Sequence, residues 1–198
     1  MISVYKLKPK FQAALTPILT YFHRKNITAN QITIFSVLFS LLIGVLFWFA
    51  DTNSGLFLVL PIGLLIRMAL NALDGMMARK YNQISKKGEV LNEIGDVVSD
   101  LFVFLPLVKF LPEAIYPIIV FMALGIINEM AGLMGKIVGT ERRYDGPMGK
   151  SDRALLLGLF GILAFCGVSI HSFSFYIFCA IDILLLLSTY TRLRKSLS

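Results

Sequence analysis

Asn71-Ala72-Leu73-Asp74-Gly75-Met76-Met77-Ala78-Arg79, followed after eight residues by Gly88 and then by Asn92, Asp96 and Asp100, is a polar island in a chain otherwise suited to lipid. Acids and amides recur here at three- and four-residue spacing. They lie on two apolar segments joined by a short basic loop. Ionisable side chains at membrane depth are costly and are normally kept for function.

The surrounding chain sets that depth. Of 198 residues, 57% are hydrophobic, and the mean hydropathy is +0.75. A soluble domain has about 45–50% apolar residues. Repeated apolar runs of about 20 residues are long enough to cross a bilayer core. The reading is an all-α integral membrane protein forming one domain over 1–198, with no linker and no internal repeat. The start, Met1-Ile2-Ser3-Val4-Tyr5-Lys6, lacks the apolar stretch of a cleaved leader. Cys166 and Cys179 sit in apolar runs and read as buried thiols, not as a disulfide or a zinc site. The net charge of +7 would suggest nucleic acid in a soluble protein. Here it falls in short loops and tails, so the expected partners are the bilayer and its anionic head groups, with no nucleic acid.

Six transmembrane helices are expected within 31–192, at about 31–50, 55–79, 88–110, 114–137, 151–169 and 173–192. Pro112 separates the third from the fourth, and Gly146-Pro147 marks the loop before the fifth. Basic residues gather on one side: Lys6, Lys8, Lys10, Arg24 and Lys25 before the first span, then Arg79, Lys80, Lys86 and Lys87, then Lys136, Arg142, Arg143 and Lys150, then Arg192, Arg194 and Lys195. Of the opposite loops only one carries a lysine, Lys109. Both termini are therefore expected in the cytoplasm, with the polar island near the cytoplasmic surface. Within 1–27, Val4, Leu7, Phe11, Ala14, Leu15, Ile18 and Phe22 follow a helical period, as an amphipathic interfacial helix would.

At 100° per residue, Arg67, Asn71, Asp74 and Ala78 share a face of the second span. Glu89, Asn92, Glu93, Asp96 and Asp100 share one on the third. Gly75, Ala78, Gly88 and Gly95 allow close approach. Counted from the cytoplasmic ends, Asn71, Asp96 and Glu129 lie about 12 Å deep, and Arg67 and Asp100 about 18 Å. Oxygen ligands at one level suit a hard divalent cation that also takes substrate phosphates. Interhelical hydrogen bonding is the plainer alternative. Asp100 is expected to neutralise Arg67, with Asp182 as the competing partner.

The spacing resembles the signature of the CDP-alcohol phosphatidyltransferases, D-x2-D-G-x2-A-R-x8-G-x3-D-x3-D; this chain has N-x2-D-G-x2-A-R-x8-G-x3-N-x3-D. Ile27-Thr28-Ala29-Asn30-Gln31-Ile32-Thr33 is similar to that family's entry to its first span. The resemblance implies transfer of a phosphatidyl group from CDP-diacylglycerol to a small polar alcohol, phosphorylated or not, with release of CMP in phospholipid biosynthesis. It implies one or two Mg²⁺ or Mn²⁺ ions held by the positions of Asn71, Asp74, Asn92 and Asp96, with Asp96 also the base. It places Gly75, Ala78, Arg79, Ser85 and Gly88 at the CDP pocket. It further implies a homodimer in a bacterial inner membrane, with the site facing the cytoplasm.

Asn71 and Asn92 depart from the pattern. Two carboxylates balance one divalent cation, not two, since an amide oxygen ligates without charge. One metal, two metals completed by Glu93, Asp100 or Glu129, and a non-catalytic lipid- or CDP-binding protein are the readings that follow. A small proton-coupled transporter is a further alternative; the clustering of the acids at one end and the lack of a repeat count against it. On the acceptor side, Lys150 and Arg153 in Gly149-Lys150-Ser151-Asp152-Arg153 could bind a phosphate. Topological anchoring, with Asp152 as a local partner, explains them equally well. His23 and His171 stand at helix ends, where no catalytic role is expected.

Overall fold

The computed structural model describes residues 8–197, so Val4, Lys6 and Leu7 of the expected amphipathic stripe lie outside the described residues. Its helices are α1 (Lys8–Arg24), α2 (Ala29–Trp48), α3 (Val59–Lys80), α4 (Lys86–Phe104), α5 (Leu107–Phe110), α6 (Ile115–Ile137), α7 (Lys150–Phe165) and α8 (His171–Ser196). Short 3-10 turns at Ser54–Leu58 and Pro112–Ala114 lead into α3 and α6. No strand occurs among the described residues.

A helix stands at each of the six expected positions. Among the described residues, four helical stretches are long and apolar enough to cross a membrane: Ala29–Trp48, Ser54–Lys80, Pro112–Ile137 and His171–Ser196. The other two differ for physical reasons. The expected third span, 88–110, is divided between α4 and α5. Pro106 lacks the N–H that would continue α4, which ends at Phe104. The four acids Glu89, Glu93, Asp96 and Asp100 lower its hydropathy. α7 has only 16 residues and opens on Lys150, Asp152 and Arg153. It therefore rises about 24 Å against a hydrocarbon core of about 30 Å.

The chain forms two compact units. The first joins residues up to Leu42 with Gly63–Asp100. Its core is Leu15, Leu19, Ala29, Ile32, Leu70, Leu73 and Met77. α1 enters it through Phe11, Leu15, Leu19 and Phe22. The buried stripe is rotated from the expected one, since Leu19 is fully buried whereas Ala14 and Ile18 are exposed. Only one side of α1 meets Ala29 and Ile32 of α2 and Leu70 and Leu73 of α3, and an i, i+4 ridge selects it. The loop 81–85 closes back on this core. Asn82 takes a left-handed φ of 54°, and Gln83 Oε1 accepts the backbone N–H of Ala29 at 2.8 Å, capping α2.

The second unit joins Ile43–Ile62 with Leu101–Ser198. Phe47 stacks on Phe110 with centroids 5.0 Å apart, and Phe121 meets Phe104 and Phe178 edge-on. Glycines set its closest backbone approaches. A Cβ on Gly161 would lie 2.6 Å from the Phe57 carbonyl, and one on Gly44 would strike the Phe102 carbonyl.

Candidate active site

The polar stripe of α3 and that of α4 meet in the first unit, and α2 supplies a third stripe, Thr33 and Ser36. Thr33 Oγ1 donates to Asp74 Oδ2 at 2.9 Å. Ser36 Oγ donates to Asn71 Oδ1 at 2.7 Å. Asn71 Nδ2 in turn donates to Asp96 Oδ1 at 3.2 Å. Asp74 and Asp96 are buried, while Asn71, Asn92 and Glu93 are half-buried. Gly95 keeps α4 close to α2, since a Cβ there would sit 3.0 Å from Val37 Cγ2.

A turn deeper, buried Arg67 pairs with Asp100, Nη2 to Oδ1, at 2.6 Å. The same Nη2 reaches the Asp96 carbonyl at 3.4 Å. The expected neutralising pair therefore forms. Asp182, the expected competitor, belongs to α8 in the second unit, where its buried Oδ1 has no hydrogen-bond partner. Asp100 is thus committed to Arg67, which weakens it as a substitute cation ligand.

The donor set around Asp74 and Asp96 consists of oxygens. Among the described residues no three acids, histidines or cysteines stand together as a self-sufficient metal site. Two carboxylates do suit one hard divalent cation that completes its shell with water and substrate phosphate, the usual arrangement for Mg²⁺.

Toward the end of α3, an open depression of about 280 Å³ is lined by Gln12, Leu19, Met76, Arg79 and Lys80. Gly75 leaves room for the guanidinium of Arg79; a Cβ there would lie 3.3 Å from both Nη atoms. Gly88 has a comparable reason, with Asn30 Oδ1 2.7 Å from where a Cβ would stand. Ala78 is half-buried on α3. Ser85 has a local task, since its hydroxyl accepts the Gly88 N–H at 3.0 Å and caps α4.

A separate cationic cluster occupies the second unit. Glu129 on α6 accepts from Arg142 Nη2 at 2.9 Å and from Arg153 Nη2 at 3.1 Å. Arg192 Nη1 stands 3.8 Å from the same carboxylate and donates to the Asn128 carbonyl at 2.7 Å. Lys150 adds a further charge within electrostatic range. One carboxylate therefore faces four basic groups, and Arg153 and Arg192 are each only 2% exposed. The loop 138–149 holds Arg142 in place: the Arg143 N–H donates to the Gly132 carbonyl at 2.9 Å. Met148 takes a left-handed φ of 59°, which costs about 1–3 kcal/mol in a residue with a side chain. Its carbonyl accepts Arg153 Nη1 at 3.1 Å. Asp152 caps α7, accepting the Gly149 N–H at 3.1 Å.

The family model for CDP-alcohol phosphatidyltransferases matches residues 26–189. The chain belongs to the CDP-alcohol phosphatidyltransferase family. Among its relatives, the inner membrane protein YnbA of Escherichia coli strain K12 is 46% identical over 162 residues, 81% of this chain and 80% of that one. The CDP-diacylglycerol–glycerol-3-phosphate 3-phosphatidyltransferase of Aquifex aeolicus is 31% identical over 102 residues, 50% of this chain and 53% of that one. The crystal structure of Mycobacterium tuberculosis phosphatidylinositol phosphate synthase in complex with manganese and citrate shares the fold. Its TM-score is 0.75 at 19% identity, covering 92% of this chain and 88% of that one. The same synthase with CDP-DAG bound gives a TM-score of 0.74 at 19% identity, over 91% and 92%.

Four residues of these clusters, Thr33, Ser36, Arg142 and Arg192, carry no assigned side-chain role in the sequence pattern. Thr33 and Ser36 were visible as part of a Thr33, Ser36, Ser40 stripe on the first span. Arg142 and Arg192 were counted only as topological charge; the small polar run Ser188-Thr189 beside Arg192 marked a polar interior face.

Proposed function

We propose that the chain transfers a phosphatidyl group from CDP-diacylglycerol to a small polar alcohol that carries a phosphate, with release of CMP. The observation that carries this reading is the two buried carboxylates, Asp74 held by Thr33 on α2 and Asp96 held by Asn71 on α3, with Arg79 further along α3. Asp74 and Asp96 would hold a divalent ion, Mg²⁺ or Mn²⁺, with the amides of Asn71 and Asn92 beside them. Bound there, the ion offsets the charge of the donor diphosphate and of departing CMP.

The other steps belong to the chain's own side chains. Arg79, permanently charged and forked, takes a phosphate of the donor, with Gly75, Ala78 and Gly88 clearing the space around the nucleotide. Asp96 accepts the acceptor's hydroxyl proton as that oxygen bonds to the phosphatidyl phosphorus. The bond from this phosphorus to the bridging oxygen breaks, and CMP leaves with the electron pair. Lys150 and Arg153 hold the acceptor's phosphate, supported by Arg142 and Arg192. Glu129 aligns these arginines and leaves a positive surplus that an anion would offset.

All six main helices cross the membrane in this reading. α4 and α7 do so shielded by their neighbours, both termini are cytoplasmic, and the site opens to the cytoplasm of a bacterial inner membrane. The distribution of basic residues supports that orientation.

The test is CMP release from CDP-diacylglycerol across a panel of alcohols with and without a phosphate, with the lipid product weighed by mass spectrometry. Asp96→Asn should abolish release while leaving the protein folded. Lys150→Ala should raise the KM for a phosphorylated acceptor about tenfold or more, the size of one charge-assisted contact. CDP binding without CMP release for any acceptor would leave a non-catalytic member of the family.

A further inference from the structure

Asn71 stands between two partners of different kind. An ionised carboxylate has no proton to give, so Asp96 can only accept. The amide therefore turns Nδ2 to Asp96 Oδ1, at 3.2 Å, and Oδ1 away from it. Ser36, only 2% exposed, meets that oxygen with its hydroxyl at 2.7 Å. The three groups form one directed chain, Ser36 to Asn71 to Asp96. A carboxylate in place of the amide would set two like charges across the same short gap, a pairing that needs a cation or a shared proton between them.

We propose that Ser36 and Asn71 are positioning residues: they hold Asp96 by one oxygen, and the Asn71 amide occupies, as a hydrogen-bond donor, the place where a second cation would otherwise be needed. Asn71 is then not a cation ligand, and the site takes a single divalent ion. This rests on the reading that Asp74 and Asp96 hold a divalent ion against the CDP-linked donor. It goes further by assigning a role to Ser36 and by fixing the ion count through hydrogen-bond direction. To ligate a cation beside Asp96, Asn71 would have to reverse its amide and break both contacts at once.

The experiment counts Mn²⁺ bound to the purified protein in detergent with CDP present, by calorimetry and by electron paramagnetic resonance. One ion is expected in the parent protein and two in Asn71→Asp. Two ions in the parent overturn the proposal, as does a count that stays at one in Asn71→Asp up to about pH 9, where a proton shared by the two carboxylates would have given way to the ion. No ion in the parent overturns the functional reading itself. Ser36 is read separately and without the metal variant. Ser36→Ala should lower kcat about tenfold, as loss of a group behind a reacting side chain does, with the KM for CDP-diacylglycerol unchanged. Ser36→Thr, which restores the hydroxyl, should recover it. A Ser36→Ala protein with parental kcat, or a threonine variant without rescue, removes Ser36 from the chain of contacts.

Discussion

The Arg67–Asp100 pair offers a quantitative test of how the first unit is held together. Arg67 is 4% exposed and Asp100 15%, and their contact is 2.6 Å. The only other hydrogen bond described for Arg67 is the long one to the Asp96 carbonyl, at 3.4 Å. Asp100→Asn keeps the shape and removes the charge. Breaking a buried pair by losing one partner costs about 3–5 kcal/mol. The amide oxygen of the variant can still accept from Arg67, so the lower figure, about 3 kcal/mol, applies. For a chain of this size each kcal/mol shifts Tm by about 2–4 °C. Thermal unfolding in detergent should therefore show a fall of about 6–12 °C. Replacing both partners, Arg67→Met with Asp100→Leu, removes the stranded charge and should recover most of the loss, since apolar replacements of buried pairs are often neutral or better. CMP release should fall in the single variant and should not recover in the double one, because Arg67→Met also removes the contact to the Asp96 backbone. If the single variant falls within about 1 kcal/mol of the parent, the pair behaves as a solvated surface bridge and the buried reading is refuted. A double variant no better than the single refutes it equally.

Two further outcomes are expected. Gly75→Ala would bring a Cβ within 3.3 Å of the Arg79 guanidinium, the far end of a flexible side chain. Tm should hold while the KM for CDP-diacylglycerol rises; an unchanged KM would separate Arg79 from the donor. In the loop before α7, Lys195 hydrogen-bonds Asp145 and holds its carboxyl below the usual carboxylate range. A lowered folded pKa means the contribution is present above the ordinary carboxylate value and fades as pH falls through the lowered one. Lys195→Ala should thus cost less than about 1 kcal/mol near neutrality, the pair being largely solvated. In melts from pH 7 to pH 3 the gap from the parent should close; a gap that widens toward acid contradicts the assignment.

Much of the fold was legible because its causes are local. Apolar runs, Gly146-Pro147 and the alternation of basic loops placed all six main helices within a few residues. The break at Pro106 was passed over because the flanking residues are apolar on both sides, and hydropathy alone does not register a missing N–H. In α1 the period was readable but the side that packs was not, since Leu15, Ile18 and Leu19 are equally apolar. The facing of the α3 and α4 stripes, seen in the Asn71–Asp96 contact, and the Arg67–Asp100 pair followed from helical spacing. The hydroxyls of Thr33 and Ser36 did not, because serine and threonine in an apolar helix normally satisfy their own i−4 carbonyls. The Glu129 cluster was hidden for another reason. Its arginines come from a loop and two helices far apart in sequence; topology alone accounted for Arg142 and Arg192, and only Arg153 stood out as a phosphate contact.

Gly132 and Gly135 carry a practical consequence. The 138–149 loop looks like a natural place to splice in a soluble fusion partner for imaging. Yet its backbone lies directly on these two residues; a Cβ on Gly132 would stand 2.6 Å from the Arg143 carbonyl, and one on Gly135 would strike that of Glu141. A graft there would peel the loop off α6 and carry Arg142 with it. Gly167, with φ of 74° and nothing within 4 Å of its side-chain position, is the better splice point, because extra chain there would disturb only the turn that closes α7, where the Val168 N–H donates to the Leu163 carbonyl.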